Sequence, residues 1–175
     1  MFCVYGISYK KCEQKAAKKI ATFHGDKKPK NVSDYQTKLT ELASEIYKLT
    51  DHERYQLLEK VVNYSAGRIK VCMNTTAEST KQCIEYSKKA EDFGADAVMI
   101  APPSFGGVEQ NEIKKYFINT AEAIGIPIFM QDVFDTPISP EMAVQLSNEH
   151  HNLKYIKVEV APTIPRFNKL KEISH

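Results

Sequence analysis

Four short apolar runs rich in β-branched residues recur along the chain, at 69–73, 97–101, 127–130 and 155–158, each followed by a longer amphipathic stretch. Their centres lie roughly thirty residues apart, the length that one strand and its crossover helix occupy. Such alternation builds a parallel sheet from βα units, because parallel neighbours need a long connection and a helix supplies it. The repeat therefore fixes the class as α/β before any single residue is considered.

The intervening stretches carry helix signals. Thr50 followed by Glu53 forms a capping box, Leu57, Leu58, Val61 and Val62 make one apolar face, and Gly67 suits the left-handed position beyond the last turn. Thr76 is the expected cap of the next helix, which runs through Cys83, Ile84 and Ala90 and stops at Gly94. A third helix sets Ile113, Phe117, Ala121 and Ile124 on one stripe before Gly125 and Pro127. The fourth opens with Ser139 as cap and Pro140 in the first turn, and buries Met142, Ala143 and Leu146.

Regular βα repetition permits an open doubly wound sheet or a closed barrel. A full (β/α)8 barrel takes about 250 residues, against 175 here, so the pattern alone favours a small open sheet. Twenty-four Lys and Arg balance twenty-two Asp and Glu, which gives no overall pull towards nucleic acid or an anionic membrane. A cluster of lysines from Lys10 to Lys30 departs from that balance, but it lacks the Arg and aromatic interleaving that reads bases. No nucleic-acid role is assigned to it. The four cysteines show no C-x-x-C spacing, and no run reaches the roughly twenty apolar residues of a membrane span. The expectation is a soluble, cytoplasmic protein with no membrane partner.

Alternation in the run Tyr155 to Glu159 sends Ile156 and Val158 to one face and Tyr155, Lys157 and Glu159 to the other. With the apolar pair under helices, Lys157 points to the inner side of the sheet. One use of a sheltered lysine is imine formation, since an amine attacks a ketone only when neutral. At the free value near 10.4 roughly one lysine in two thousand is neutral at pH 7, and at a value near 8 about one in ten. The competing use is structural, an ion pair between Lys157 and Glu159. Further polar groups fall at the C-terminal ends of the strands, where α/β sheets gather their sites: Asn74, Thr75 and Thr76, then Ser104 with Gly106 and Gly107, then Gln131 and Asp132. They can hold a carboxylate or an oxyanion, or serve as caps and turns. The histidines lack metal-ligand spacing, no phosphate loop follows a strand, and no G-x-S-x-G elbow is present.

The segment Ala43 to Arg54, with Glu45 and then Leu49-Thr50-Asp51-His52-Glu53-Arg54, resembles the G-x-x-x-E and L-T-x-x-E-R pattern of the dihydrodipicolinate synthase and N-acetylneuraminate lyase family of class I aldolases. Ala66-Gly67-Arg68, Gly94, Pro102-Pro103, Pro127-Ile128, Ser139-Pro140-Glu141 and Tyr155-Ile156-Lys157 follow at that family's intervals. The resemblance spans about residues 42 to 168 and replaces the open sheet with a partial (β/α)8 TIM barrel, roughly strands 3 to 6 with their helices. It divides the chain into a Lys-rich segment, 1–41, and a partial barrel domain, 42–175. It implies a Schiff-base lyase acting on pyruvate or a 2-oxo sugar acid, with Lys157 as the imine-forming lysine and no cofactor.

Departures from the family pattern refine that expectation. Gln131 stands where the family has a tyrosine acid/base, and is assigned to the catalytic set by position. Ser104-Phe105 replaces a second tyrosine pair, and Leu42-Ala43 replaces a threonine pair that binds carboxylate. Ser44, Ser104 and Glu159 are the expected substrate-binding residues. Without a phenol at the Gln131 position, dihydrodipicolinate synthesis is disfavoured against a sugar-derived 2-oxo acid. Open sheet edges predict a homo-oligomer and a Lys157 wetted by solvent, with activity weak or absent in so short a chain. The alternative is a non-catalytic fragment or paralogue serving as a binding or subunit-interaction module.

Overall fold

A computed structural model describes residues 49–68, 70–105 and 107–174. The N-terminal lysines, Ser44, Ile69 and Gly106 lie outside the described residues. Element order is α1 (Asp51–Ser65), β1 (Cys72–Asn74), α2 (Thr80–Asp92), β2 (Ala97–Ile100), α3 (Gln110–Ala123), β3 (Ile128–Asp132), α4 (Pro140–Glu149), β4 (Tyr155–Val158) and α5 (Thr163–Ile173).

The strands form one parallel sheet in the order β1-β2-β3-β4. A doubly wound sheet reverses its strand order partway; this one advances in chain order throughout. Handedness then places every crossover on the same face. Burial agrees: Met73, Val98, Ile100, Ile128, Met130, Ile156 and Val158 pack in one cluster with Cys83 and Ala90 of α2, Ile113 and Phe117 of α3, Leu146 of α4 and Leu170 of α5. The opposite face carries Cys72, Asn74, Met99, Phe129, Gln131, Tyr155 and Lys157, all half-buried. Four βα units whose described helices all pack on one face of the sheet are a segment of a (β/α)8 barrel. Ile100, Ile113, Phe117 and Ile128 are wholly buried, and each large apolar side chain so placed stabilises the fold by about 1.5–3 kcal/mol.

Helix ends follow the capping chemistry with one exception. Thr50 Nα donates to Glu53 at 2.9 Å while Thr50 Oγ1 accepts from the Glu53 amide at 3.3 Å, completing the box. Ser139 accepts from the Met142 amide at 3.1 Å ahead of Pro140, and Gly94 ends α2 at φ +87. Thr76 does not cap α2; Ser79 does, accepting from the Gln82 amide at 3.2 Å. Thr76 Oγ1 instead accepts from the Ala101 amide at 2.9 Å, joining the exits of β1 and β2. β3 runs on to Asp132 beyond the expected Met130, because Gln131 and Asp132 find partners in Lys157 and Val158.

Candidate active site

The inner face of the sheet ends, at its C-terminal edge, in a connected polar cluster. Gln131 and Lys157 are register partners on adjacent strands and point to the same side. Lys157 Nζ lies 2.7 Å from Glu159 Oε1, and the lysine side chain is 15% exposed. Gln131 Nε2 donates to Glu159 Oε2 at 2.6 Å, while Asn74 Nδ2 donates to Gln131 Oε1 at a long 3.5 Å. Glu159 is thus gripped on both oxygens, one by a charge and one by an amide.

Alternation along β4 places this lysine. Ile156 and Val158 are buried against the helices, so Tyr155 and Lys157 must face inward. Below the cluster, Tyr155 stacks on Phe129 with ring centroids 4.6 Å apart and planes 14° off parallel, an apolar floor beneath the amine. Lys157 is largely covered, where an open half barrel was expected to leave it wet. Cys72 of β1 shares the inner face. Burial pushes its thiol up to about 12, against the opposing pull of the Lys157 charge, so it stays a protonated thiol at neutral pH.

The remaining expected residues divide. Ser104, on the exposed loop after β2, donates from its amide at 2.8 Å and from its hydroxyl at 2.5 Å to Glu78, tying that loop to the one after β1. Its hydrogen bonds lie with Glu78, apart from the Lys157 cluster. Asn74, grouped in the sequence with the strand-end residues that can hold a carboxylate or cap a turn, joins the cluster through Gln131.

Asp132 was grouped with Gln131 at the same strand end, but the alternation of β3 turns it the other way, onto the helical side. It is wholly buried, accepts from the Ile138 amide at 2.9 Å and pairs with Arg166 of α5 at 2.8 Å. Burial pushes its carboxyl above the ordinary range, while the Ile138 N–H and the Arg166 guanidinium draw it back down. Arg166 also donates to the Ile138 carbonyl at 2.6 Å. This pair anchors the loop after β3 and the start of α5, and period-two counting along β3 would have assigned it that place.

An amine, a carboxylate and two carboxamides above an aromatic floor can hold a small polar acid and exchange protons with it. Among the described residues no group of three His, Cys, Asp or Glu could hold a metal ion, and no helix is long and apolar enough to cross a membrane.

The chain matches the sequence model of the Dihydrodipicolinate synthetase family over residues 42–172. It is 32% identical over 128 residues to a 4-hydroxy-tetrahydrodipicolinate synthase of Methanococcus vannielii, covering 71% of this chain and 44% of that protein. It is 33% identical over 135 residues to an L-2-keto-3-deoxyarabonate dehydratase of Azospirillum brasilense, covering 74% of this chain and 43% of that protein. Among solved structures, a dihydrodipicolinate synthase superposes with a TM-score of 0.71 at 30% identity, over 74% of this chain and 46% of its own. The enzyme of Acinetobacter baumannii in complex with pyruvate gives 0.71 at 27% identity, over 76% and 46%. The chain thus spans less than half the length of these relatives.

Proposed function

The chain belongs to the dihydrodipicolinate synthetase family, and from that premise we propose that Lys157 forms a Schiff base with pyruvate or a sugar-derived 2-oxo acid, in a class I aldolase-type lyase reaction. The observation that carries this reading is the place of Lys157: inner face, C-terminal edge, 15% exposed, with a carboxylate at 2.7 Å. That edge is where barrel enzymes gather their chemistry.

The neutral Nζ attacks the C2 carbonyl carbon of the 2-oxo acid, the carbonyl oxygen takes up one proton from solvent and, on receiving the second that the nitrogen sheds, leaves the carbinolamine as water while the nitrogen lone pair closes the C=N bond of an iminium. Glu159, 2.7 Å from the amine, accepts in this reading the proton that the nitrogen sheds and returns it to the departing oxygen. Gln131 holds Glu159 in position through its 2.6 Å hydrogen bond; a neutral carboxamide cannot itself relay a proton, so its part is orientation. Asn74, with Ser44 from outside the described residues, is the proposed contact for the rest of the substrate; Ser104 would have to release Glu78 to join them.

A 2-oxo sugar acid is favoured over the dihydrodipicolinate substrates, because a carboxamide occupies the strand end where a phenol would have to relay a proton. Similarity to a keto-deoxy sugar acid dehydratase supports that preference. Incubation with pyruvate or a 3-deoxy-2-oxo sugar acid, reduction with borohydride and peptide mass spectrometry test it. An adduct on the Lys157 peptide is expected in the natural chain and not in Lys157→Ala; no adduct with any 2-oxo acid would overturn it.

The ion pair itself favours a second reading, a non-catalytic interaction module in which Lys157 only holds Glu159. That reading predicts lowered stability in Lys157→Ala and no adduct in the natural chain.

A further inference from the structure

The loop after β1, residues 75–79, is fastened at every position. Thr75 donates from its amide to the Met99 carbonyl at 3.0 Å. Its hydroxyl shares a 2.8 Å hydrogen bond with that of Ser87 on α2, both residues wholly buried. Thr76 accepts from the Ala101 amide, Glu78 accepts from Ser104 and Ser79 caps α2. Between them stands Ala77, whose two backbone polar groups meet one side chain. Tyr116 of α3 donates its hydroxyl to the Ala77 carbonyl at 2.9 Å and accepts from the Ala77 amide at 3.3 Å.

Tyr116 is 2% exposed, with its ring edge-on to Phe117 in the helical core. Filling that volume needs only a phenylalanine, so the hydroxyl has a separate use. It satisfies a donor and an acceptor that have left the sheet ladder, and a hydroxyl can do both at once. Burial pushes its titration above the ordinary tyrosine range, so it keeps its proton and acts by geometry.

That geometry reaches the amine. The Thr76 amide, one residue before Ala77, donates to Asn74 Oδ1 at 2.9 Å and sets the rotation of that carboxamide. With Oδ1 held, Nδ2 turns to Gln131 Oε1 at 3.5 Å, and Gln131 Nε2 in turn grips the Glu159 that pairs with Lys157. A contact of 3.5 Å lies at the limit of a hydrogen bond, so a small slip of the loop decides whether it is made. We infer that Tyr116 is a positioning residue for the Lys157 site, fixing the loop after β1 so that Asn74 is presented to Gln131 and to the substrate. Its part in catalysis rests on imine formation at Lys157; its placement of Asn74 does not.

Tyr116→Phe keeps the ring and removes the hydroxyl alone. Thr120→Val is the control, because it removes another buried hydroxyl of α3 whose partners, the Tyr116 carbonyl at 2.8 Å and the Cys83 sulfur at 3.8 Å, lie within the helical layer. In 15N NMR spectra of the full chain, the side-chain amide resonances of Asn74 and Gln131 should move in Tyr116→Phe and stay in place in Thr120→Val. In borohydride trapping, the half-saturating concentration of pyruvate should rise about fivefold in Tyr116→Phe, the worth of one hydrogen bond. Asn74→Ala should give at least that rise alone, and adding Tyr116→Phe to it should change nothing further. Resonances unmoved in Tyr116→Phe, equal movement in Thr120→Val, or effects of Tyr116→Phe and Asn74→Ala that add would each overturn the inference. Absence of any adduct in the natural chain would sink the Schiff-base reading alone, with the resonances still deciding whether Tyr116 places Asn74.

Discussion

A carboxylate fixed 2.7 Å from an amine can hold the amine's charge or take its proton, and the two roles respond differently to one substitution. Glu159→Gln keeps the volume and the hydrogen bond from Gln131 but removes the charge. If Glu159 shuttles the proton of imine formation, time-resolved borohydride trapping should slow by about two orders of magnitude, the lower part of the range for a general acid or base. Denaturant unfolding should shift by no more than about 1 kcal/mol, because the glutamate is 34% exposed and solvent screens the pair. Unchanged trapping would place the proton transfer elsewhere. Lys157 and Glu159 were legible because two-residue alternation decides facing along one strand. The Asn74–Gln131–Glu159 chain was not, since it depends on stagger between strands far apart in sequence, which no local periodicity encodes.

Elements were legible where local chemistry sets their ends. The Thr50–Glu53 box and the Ser139-Pro140 start needed no tertiary information, and both formed. Thr76 failed as a cap because a strand exit competed for its hydroxyl: the Ala101 amide leaves the sheet there without a ladder partner, and Thr76 satisfies it. A similar clamp joins the entry to β1 and the start of β2. Asp96 accepts from the Val71 amide at 2.8 Å and pairs with Lys70 at 2.6 Å. Burial acts upward on the Asp96 carboxyl but is outweighed by the Lys70 and Val71 hydrogen bonds, which hold it below the ordinary range. A depressed carboxyl contributes stability that is present above its unfolded value, about 3.9, and is lost as pH falls through the lower folded value. Asp96→Asn should therefore unfold at a lower midpoint at neutral pH and lose less stability than the natural chain between pH 5 and 3, as measured by thermal melts across that range.

At the scale of the whole molecule, the sheet has a centre and two margins. β2 and β3 are flanked on both sides, and the margin between β3 and β4 is stitched further by Asn152, whose backbone carbonyl accepts from Ile128 at 2.8 Å and whose side chain donates to the Ala121 and Ile124 carbonyls at 2.9 Å. β1, three residues long and bonded on one side among the described residues, opens at the lowest cost, because fewer hydrogen bonds and less covered apolar surface must be given up. Amide exchange at high dilution should accordingly be fastest in β1, next in β4, and slowest in β2 and β3. Exchange as slow in β1 as in β2 and β3 would show that the sheet opens as one unit and not from its margins.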